Sequence, residues 1–289
     1  MKAKEKTAIL MAILAAALYA LNSPISKLLL VNVSSVMMAG PLYLGAGTGL
    51  VIVRLIQKGA GVSRREATLA KNDLPYTVAM VVLDIAAPIS LMAGLTMTTA
   101  ANASLLNNFE IVATSLIALF IFKEKISGRL WAAISLVTLA SIILTVEDAG
   151  SFRFSAGSLF VLLACVCWGF ENNCTRKISD KDPLEIVVIK GFGSGIGSLV
   201  IAFAIGERLP EMRYIVCALL LGFVAYGLSI FFYIYAQRTL GAAKTSTYYA
   251  VAPFIGVLLS LLIFREIPRP SFWVALVIMA AGTYLASTD

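Results

Sequence analysis

The stretch ALFIFKEKISGRLW (residues 118–131) returns as SLLIFREIPRPSFW (residues 260–273). In both copies an apolar run ends on Phe-[Lys/Arg]-Glu, at Phe122-Lys123-Glu124 and at Phe264-Arg265-Glu266. In both a tryptophan follows after the same interval, Trp131 and Trp273. A second pair of landmarks lies earlier: Leu18-Tyr19-Ala20-Leu21-Asn22-Ser23 lines up with Cys167-Trp168-Gly169-Phe170-Glu171-Asn172. The repeated landmarks, in the same order, divide the chain into two related halves, residues 1–147 and 154–289.

The runs between the landmarks are long and apolar. Crossing a bilayer as a helix takes about 20 residues. The stretches that qualify are Thr7–Leu30, Val33–Ile56, Leu74–Met97, Thr99–Phe122, Leu130–Val146, Ala156–Ile178, Leu184–Ile205, Tyr214–Gln237, Ala243–Phe264 and Ser271–Ala286. The expected fold is therefore an all-α integral membrane protein of ten transmembrane helices. Composition agrees: 60% of the 289 residues are hydrophobic and only 13% are charged, with a mean hydropathy of +0.90. A soluble domain carries about a quarter charged residues. The first run exceeds a signal-peptide core and no small-residue cleavage site follows it, so it reads as a retained span.

The net charge of +7 is not gathered into an arm or one helix face, which argues against nucleic acid as a partner. Its distribution instead gives orientation. With the amino terminus in the cytoplasm, Lys27, Arg153, Arg208, Arg213, Arg265 and Arg269 fall outside, and Lys190 falls within a span. The remaining lysines and arginines fall inside. Both termini are then cytoplasmic and the location is a cytoplasmic membrane. Five spans per half is an odd number, so the second half runs inverted, with Lys123 inside and its counterpart Arg265 outside. Two inverted five-helix repeats are a transporter pattern, with the site expected near the midplane between them.

Composition also excludes chemistries. There is no histidine, which removes histidine metal sites and Ser-His or Cys-His catalysis. No Gly-x-x-x-x-Gly-Lys-[Ser/Thr] stretch is present. A two-aspartate intramembrane protease needs a second buried Asp beside Asp84. The chain reads as a non-enzyme without cofactor or metal. Cys165, Cys167, Cys174 and Cys217 all lie in apolar runs and read as small packing residues. A receptor or scaffold that does not transport is the alternative, and it has no need of an inverted repeat.

Charges inside spans cost a few kcal/mol each and tend to face a cavity or a partner. Asp84, Glu110, Glu171 and Lys190 are the residues of this kind. Glu110 is mid-span, with Asn107 and Thr114 on the same helical face. That stripe suits a wall that binds a cation or a proton, or a hydrogen bond to a neighbouring helix. Glu171, Asn172 and Asn173 cover most of a helix circumference, so one or more of them points to protein or water. Asn22 is the first-half counterpart of Glu171, and Pro24 beside it can free a backbone carbonyl. Asp84 is either a further protonatable site or the partner of Lys190. Lys190 either meets a substrate carboxylate or forms a structural ion pair, the reading preferred here; Arg176 is another partner open to Glu171. Trp168, Tyr248 and Tyr249 are the aromatic candidates for the site, the tyrosines set opposite Asn107 and Asn108. The pairs Lys123/Glu124 and Arg265/Glu266 read as interfacial anchors. Substrate contact is thus expected from Glu110, Asn107, Glu171, Asn172, Asn22, Trp168, Tyr248 and Tyr249, and proton coupling from Glu110, Glu171 or Asp84.

The sequence 101–110 (ANASLLNNFE) with the landmarks at 122–131, Trp168 to Asn173, and Gly241 to Thr245 with Pro253 and the landmark at 264–266 resembles the EamA family of the drug/metabolite transporter superfamily. The resemblance runs through both halves. It implies ten helices as two inverted repeats and a cavity lined by the first, third, fourth, sixth, eighth and ninth. It implies a carrier of amino-acid-like metabolites or drugs, zwitterionic or cationic, moving them outward in exchange for protons. The partners so implied are a small-molecule substrate, membrane lipid and protons.

Overall fold

A computed structural model describes residues 2–59, 67–123, 125–148, 153–240, 245 and 248–287. Glu124, residues 60–66 with Arg64 and Arg65, and residues 241–244 and 246–247, which include the start of the expected ninth span, lie outside the described residues.

The apolar runs are helices because hydrocarbon leaves the backbone no other partner for its N–H and C=O groups. The elements are α1 (Lys2–Ala20), α2 (Asn22–Leu29), α3 (Ser35–Gly59), α4 (Leu74–Met97), α5 (Ala100–Leu106), α6 (Phe109–Phe120), α7 (Gly128–Thr145), α8 (Ala156–Lys177), α9 (Pro183–Ala204), α10 (Met212–Gly222), a π-helical segment (Phe223–Leu228), α11 (Ser229–Leu240), α12 (Ala252–Phe264) and α13 (Pro270–Ser287). Among the described residues, 9 helical segments are long and apolar enough to cross a membrane. The helix α12 is apolar but shorter, and most of the chain just before it is not described. The connector between the halves carries a short antiparallel pair, β1 (Val146–Asp148) with β2 (Arg153–Phe154).

Burial is inside-out relative to a soluble protein. Leu10, Ile52, Leu55, Val200, Leu220 and Val277 point outward, each more than half exposed, while Asn22, Asp84, Asn108, Glu171, Asn173 and Lys190 are buried. Such an apolar surface belongs in lipid. The protein is a multi-pass membrane protein.

Among the described residues four spans are interrupted, the first, the fourth, the eighth and the ninth, the ninth at Ala250 and Val251 just before α12. The first breaks at Leu21, between α1 and α2. Pro24 has no N–H to return to the Ala20 carbonyl, one turn back; that oxygen faces Gly256 of α12, where a Cβ would stand 3.3 Å away. The fourth breaks at Asn107 and Asn108, between α5 and α6. Asn108 Nδ2 donates to the Leu105 carbonyl at 3.1 Å, a local bond that competes with the helical ladder. The eighth passes through the π-helical segment. In α4, Pro88 likewise leaves the carbonyl of Asp84 without its helical donor.

Contacts between the halves follow a pattern. The helix α3 packs on α9, α7 on α13, and α5 on α12. The α4–α8 contact is matched by α1 on α11 and on the π-helical segment. Exchanging the first half's spans for the second's leaves this set unchanged. The α3–α9 crossing is close enough that a Cβ on Gly191 would lie 2.4 Å from Gly47 Cα. At the Phe-[Lys/Arg]-Glu landmarks the backbone turns the same way: Lys123 has φ 60° and Arg265 φ 52°. Arg265 caps α12 and Lys123 follows the end of α6 by two turn residues, both in the left-handed region, which residues other than Gly, Asn and Asp rarely enter.

Candidate functional site

The break in the fourth span positions Glu110. The residue was expected on a continuous helix; it lies instead in the first turn of α6, directly after the Asn107–Asn108 interruption. Glu110 and Thr114 still share a face, and both meet Asn172 of α8. Asn172 Nδ2 donates to Glu110 Oε1 at 2.6 Å and to Thr114 Oγ1 at 3.5 Å. Gly169 lets the helices approach this closely, since a Cβ there would meet Ala113 Cβ at 2.7 Å. Asn173 Nδ2, on the same helix, donates to the Thr114 carbonyl at 3.1 Å and to the Gly169 carbonyl at 2.8 Å. The freed carbonyl of Leu106 receives the thiol of Cys165 at 3.6 Å.

Asn107 does not lie on the α6 stripe with Glu110; it caps the end of α5. Its Oδ1 is buried and has no hydrogen-bond partner among the described residues. A buried orphan oxygen costs about 1–3 kcal/mol. Asn108 is fully engaged, its Oδ1 accepting from Thr283 Oγ1 at 3.2 Å.

Glu171 is placed differently from Glu110. Its Oε1 lies 2.7 Å from Lys190 Nζ and also accepts from Thr175 Oγ1. Lys190 in turn lies 3.2 Å from Asp84 Oδ2. Tyr43 of α3 donates its hydroxyl to Asp84 Oδ1 at 2.9 Å. Asp84, Glu171 and Lys190 thus form one buried group, exposed by 1%, 3% and 5%. Two carboxylates share one ammonium. Arg176, the other cation considered for Glu171, lies further along α8 and is exposed.

Asn22 occupies the place in the first half that Glu171 holds in the second. Its Nδ2 donates to Tyr226 Oη at 2.9 Å, and Ser26 Oγ donates to its Oδ1 at 3.1 Å. Tyr19 gathers an aromatic cluster, with Trp168 at 6.5 Å and Tyr226 and Tyr249 each at 6.0 Å between ring centroids. Tyr43 stands 5.0 Å from Tyr226. Tyr249 packs on Tyr19 and Tyr233, and Tyr248 and Tyr249 are both half-buried.

Sequence reasoning missed Tyr19, Tyr43 and Thr175. Thr175 carried a signal, one helical turn after Glu171 as Ser26 is after Asn22. Tyr43 carried little: it lies in a glycine-rich apolar run whose close packing sets which side chains meet α4.

A protein solved by crystallography has the same fold, with a TM-score of 0.69 over 97% of this chain and 96% of that one, at 16% identity. An uncharacterized transporter of Methanothermobacter thermautotrophicus is 23% identical over 288 residues, covering 92% of this chain and 82% of that protein. An uncharacterized transporter of Clostridium kluyveri is 23% identical over 231 residues, covering 76% and 74%. The family model described as the EamA-like transporter family matches residues 6–146 and again 155–288. Helices, landmarks and these two matches together account for nearly the whole chain, and it belongs to the EamA-like transporter family.

Proposed function

We propose that this membrane transporter is a secondary carrier that moves a small organic metabolite or drug, zwitterionic or cationic, across the cytoplasmic membrane by alternating access. It works as an exporter coupled to protons, with both termini in the cytoplasm. The two halves form an inverted repeat that rocks about the site between them. Support for the repeat comes from the paired landmarks, the matching left-handed residues Lys123 and Arg265, the self-mapping helix contacts and the twofold family match.

The observation that carries the coupling is the environment of Glu110. Its carboxylate is held by the neutral amide of Asn172, at a helix break. It can exchange a proton for a substrate ammonium without breaking an ion pair. Glu171 lacks that freedom, because Lys190 and Thr175 hold it. The exchange is therefore assigned to Glu110, with Asn172 orienting it and the orphan oxygen of Asn107 as a further acceptor. Tyr19, Trp168 and Tyr249 supply ring faces and edges nearby.

The test begins with a thermal-shift screen of the purified protein against metabolites and drugs. A stabilising compound is then loaded into vesicles carrying the protein, and a pH gradient is imposed. Wild type moves the compound against the direction of proton flow, and Glu110→Gln moves it no faster than empty vesicles. Normal proton-driven flux in Glu110→Gln would sink the assignment.

A further inference from the structure

Asp84 is a buried acid that exchange at Glu110 does not use. It belongs to α4 in the first half, whereas Glu171 on α8 and Lys190 on α9 both belong to the second. Lys190 spans them, 2.7 Å from Glu171 and 3.2 Å from Asp84. One of these contacts stays within a half, and the other crosses between halves. The titratable groups facing Asp84 are Tyr43 from α3, Glu171 and Cys167 from α8, Lys190 from α9 and Tyr226 from the π-helical segment. Lys190 is the cation in that set.

Consider α4 parting from α8 and α9. Lys190 stays with Glu171, one ammonium to one carboxylate. Asp84 is left with neutral groups and a second carboxylate. A buried carboxylate without a counter-charge is strongly disfavoured against its protonated form. The protonated acid has a partner ready: the Tyr43 hydroxyl, which donates to the carboxylate, can rotate and accept from the acid. Proton uptake and separation of the halves are then one event.

The corresponding joint, between the first and eighth spans, is built differently. There α1 meets the π-helical segment, and Asn22 bonds Tyr226 at 2.9 Å. Serine and threonine support both joints alike, Ser26 on Asn22 and Thr175 on Glu171. The α1 joint is neutral, and acid leaves it unchanged. The α4 joint carries the titratable charge.

We propose that Asp84 is a proton-binding site that latches the two halves: ionised and bridged by Lys190 when they are closed at this joint, protonated and bonded to Tyr43 when they part. This rests on the reading of the chain as a proton-coupled, alternating-access carrier, and adds to Glu110 a second proton site with a conformational task.

The test is amide hydrogen exchange of the full-length protein in lipid nanodiscs, without substrate or gradient. The readout is exchange in residues 80–92 and 184–192, corrected for the intrinsic pH dependence. In wild type, exchange there is about threefold or more faster in mildly acidic than in mildly alkaline buffer. Asp84→Asn exchanges at the fast rate in both, and Asp84→Glu and Glu110→Gln keep the wild-type response. A wild type without pH response overturns the latch, as does an Asp84→Asn protein that retains the response. If Asp84→Asn does not fold, loss of the response in a folded Asp84→Glu protein overturns it equally. Because no flux is measured, a negative result at Glu110 in vesicles and a negative result here remain separate.

Discussion

Lys190 holds together a group that would otherwise repel itself. Asp84 and Glu171 reach it from different halves, and all three are withdrawn from solvent. Removing one member of a buried ion pair costs about 3–5 kcal/mol, because the partner's charge stays behind. Lys190→Met strands two carboxylates, so the purified protein should melt far below wild type at neutral pH. Acid should restore part of the loss, since both carboxylates then take protons and the stranded charge disappears. Asp84→Asn leaves Lys190 paired with Glu171 and should cost much less. Equal melting temperatures for the two variants at neutral pH would mean that the ammonium does not hold the group.

At the scale of elements, glycines decide which helices can touch. A Cβ on Gly191 would come within 2.4 Å of Gly47 Cα, and one on Gly195 within 2.8 Å of the Leu44 nitrogen. Both are backbone atoms that cannot step aside. Gly191→Val must push α3 and α9 apart, and overpacking of this kind costs about 1–3 kcal/mol. A clear drop in melting temperature is expected. Gly59→Ala and Gly128→Ala, where nothing lies within 4 Å, should melt as wild type does. A Gly191→Val protein as stable as those controls would contradict the close crossing. The interrupted helices follow the same logic of local competition. Pro24 and the Asn107–Asn108 pair each remove helical hydrogen bonds at membrane depth; the first break lies against Gly256, and at the second the Leu106 carbonyl receives the Cys165 thiol.

For the whole molecule, orientation is the open physical quantity that charge predicts. Basic residues gather on the side assigned to the cytoplasm. A membrane-impermeant thiol reagent applied to intact cells should therefore modify Ile267→Cys, fully exposed between α12 and α13, and Glu211→Cys before α10. Gly59→Cys, at the end of α3, should react only after the membrane is opened. Reversed labelling would turn the whole assignment over, including which side the Asp84 joint faces.

Hydropathy and the repeated landmarks were enough to determine a polytopic helical protein of two related halves, because lipid demands long apolar helices and a duplication leaves its spacing in the chain. The same reasoning picked out Asp84, Glu110, Glu171 and Lys190, since charge in an apolar run is costly wherever it points. It left Lys190 several possible partners, because partnership depends on how helices distant in sequence cross. Tertiary packing decided that. The α3–α9 and α4–α8 contacts bring Lys190, Asp84, Glu171 and Tyr43 together, and the break at Asn107 and Asn108 leaves Glu110 to a neutral amide. The landmark repeat itself first marked two similar halves; the fold adds that their equivalent joints are unlike, one neutral at Asn22 and Tyr226, one charged at Asp84 and Lys190. Spacing along a chain records ancestry and periodicity, but which charge meets which is a property of the packed helices alone.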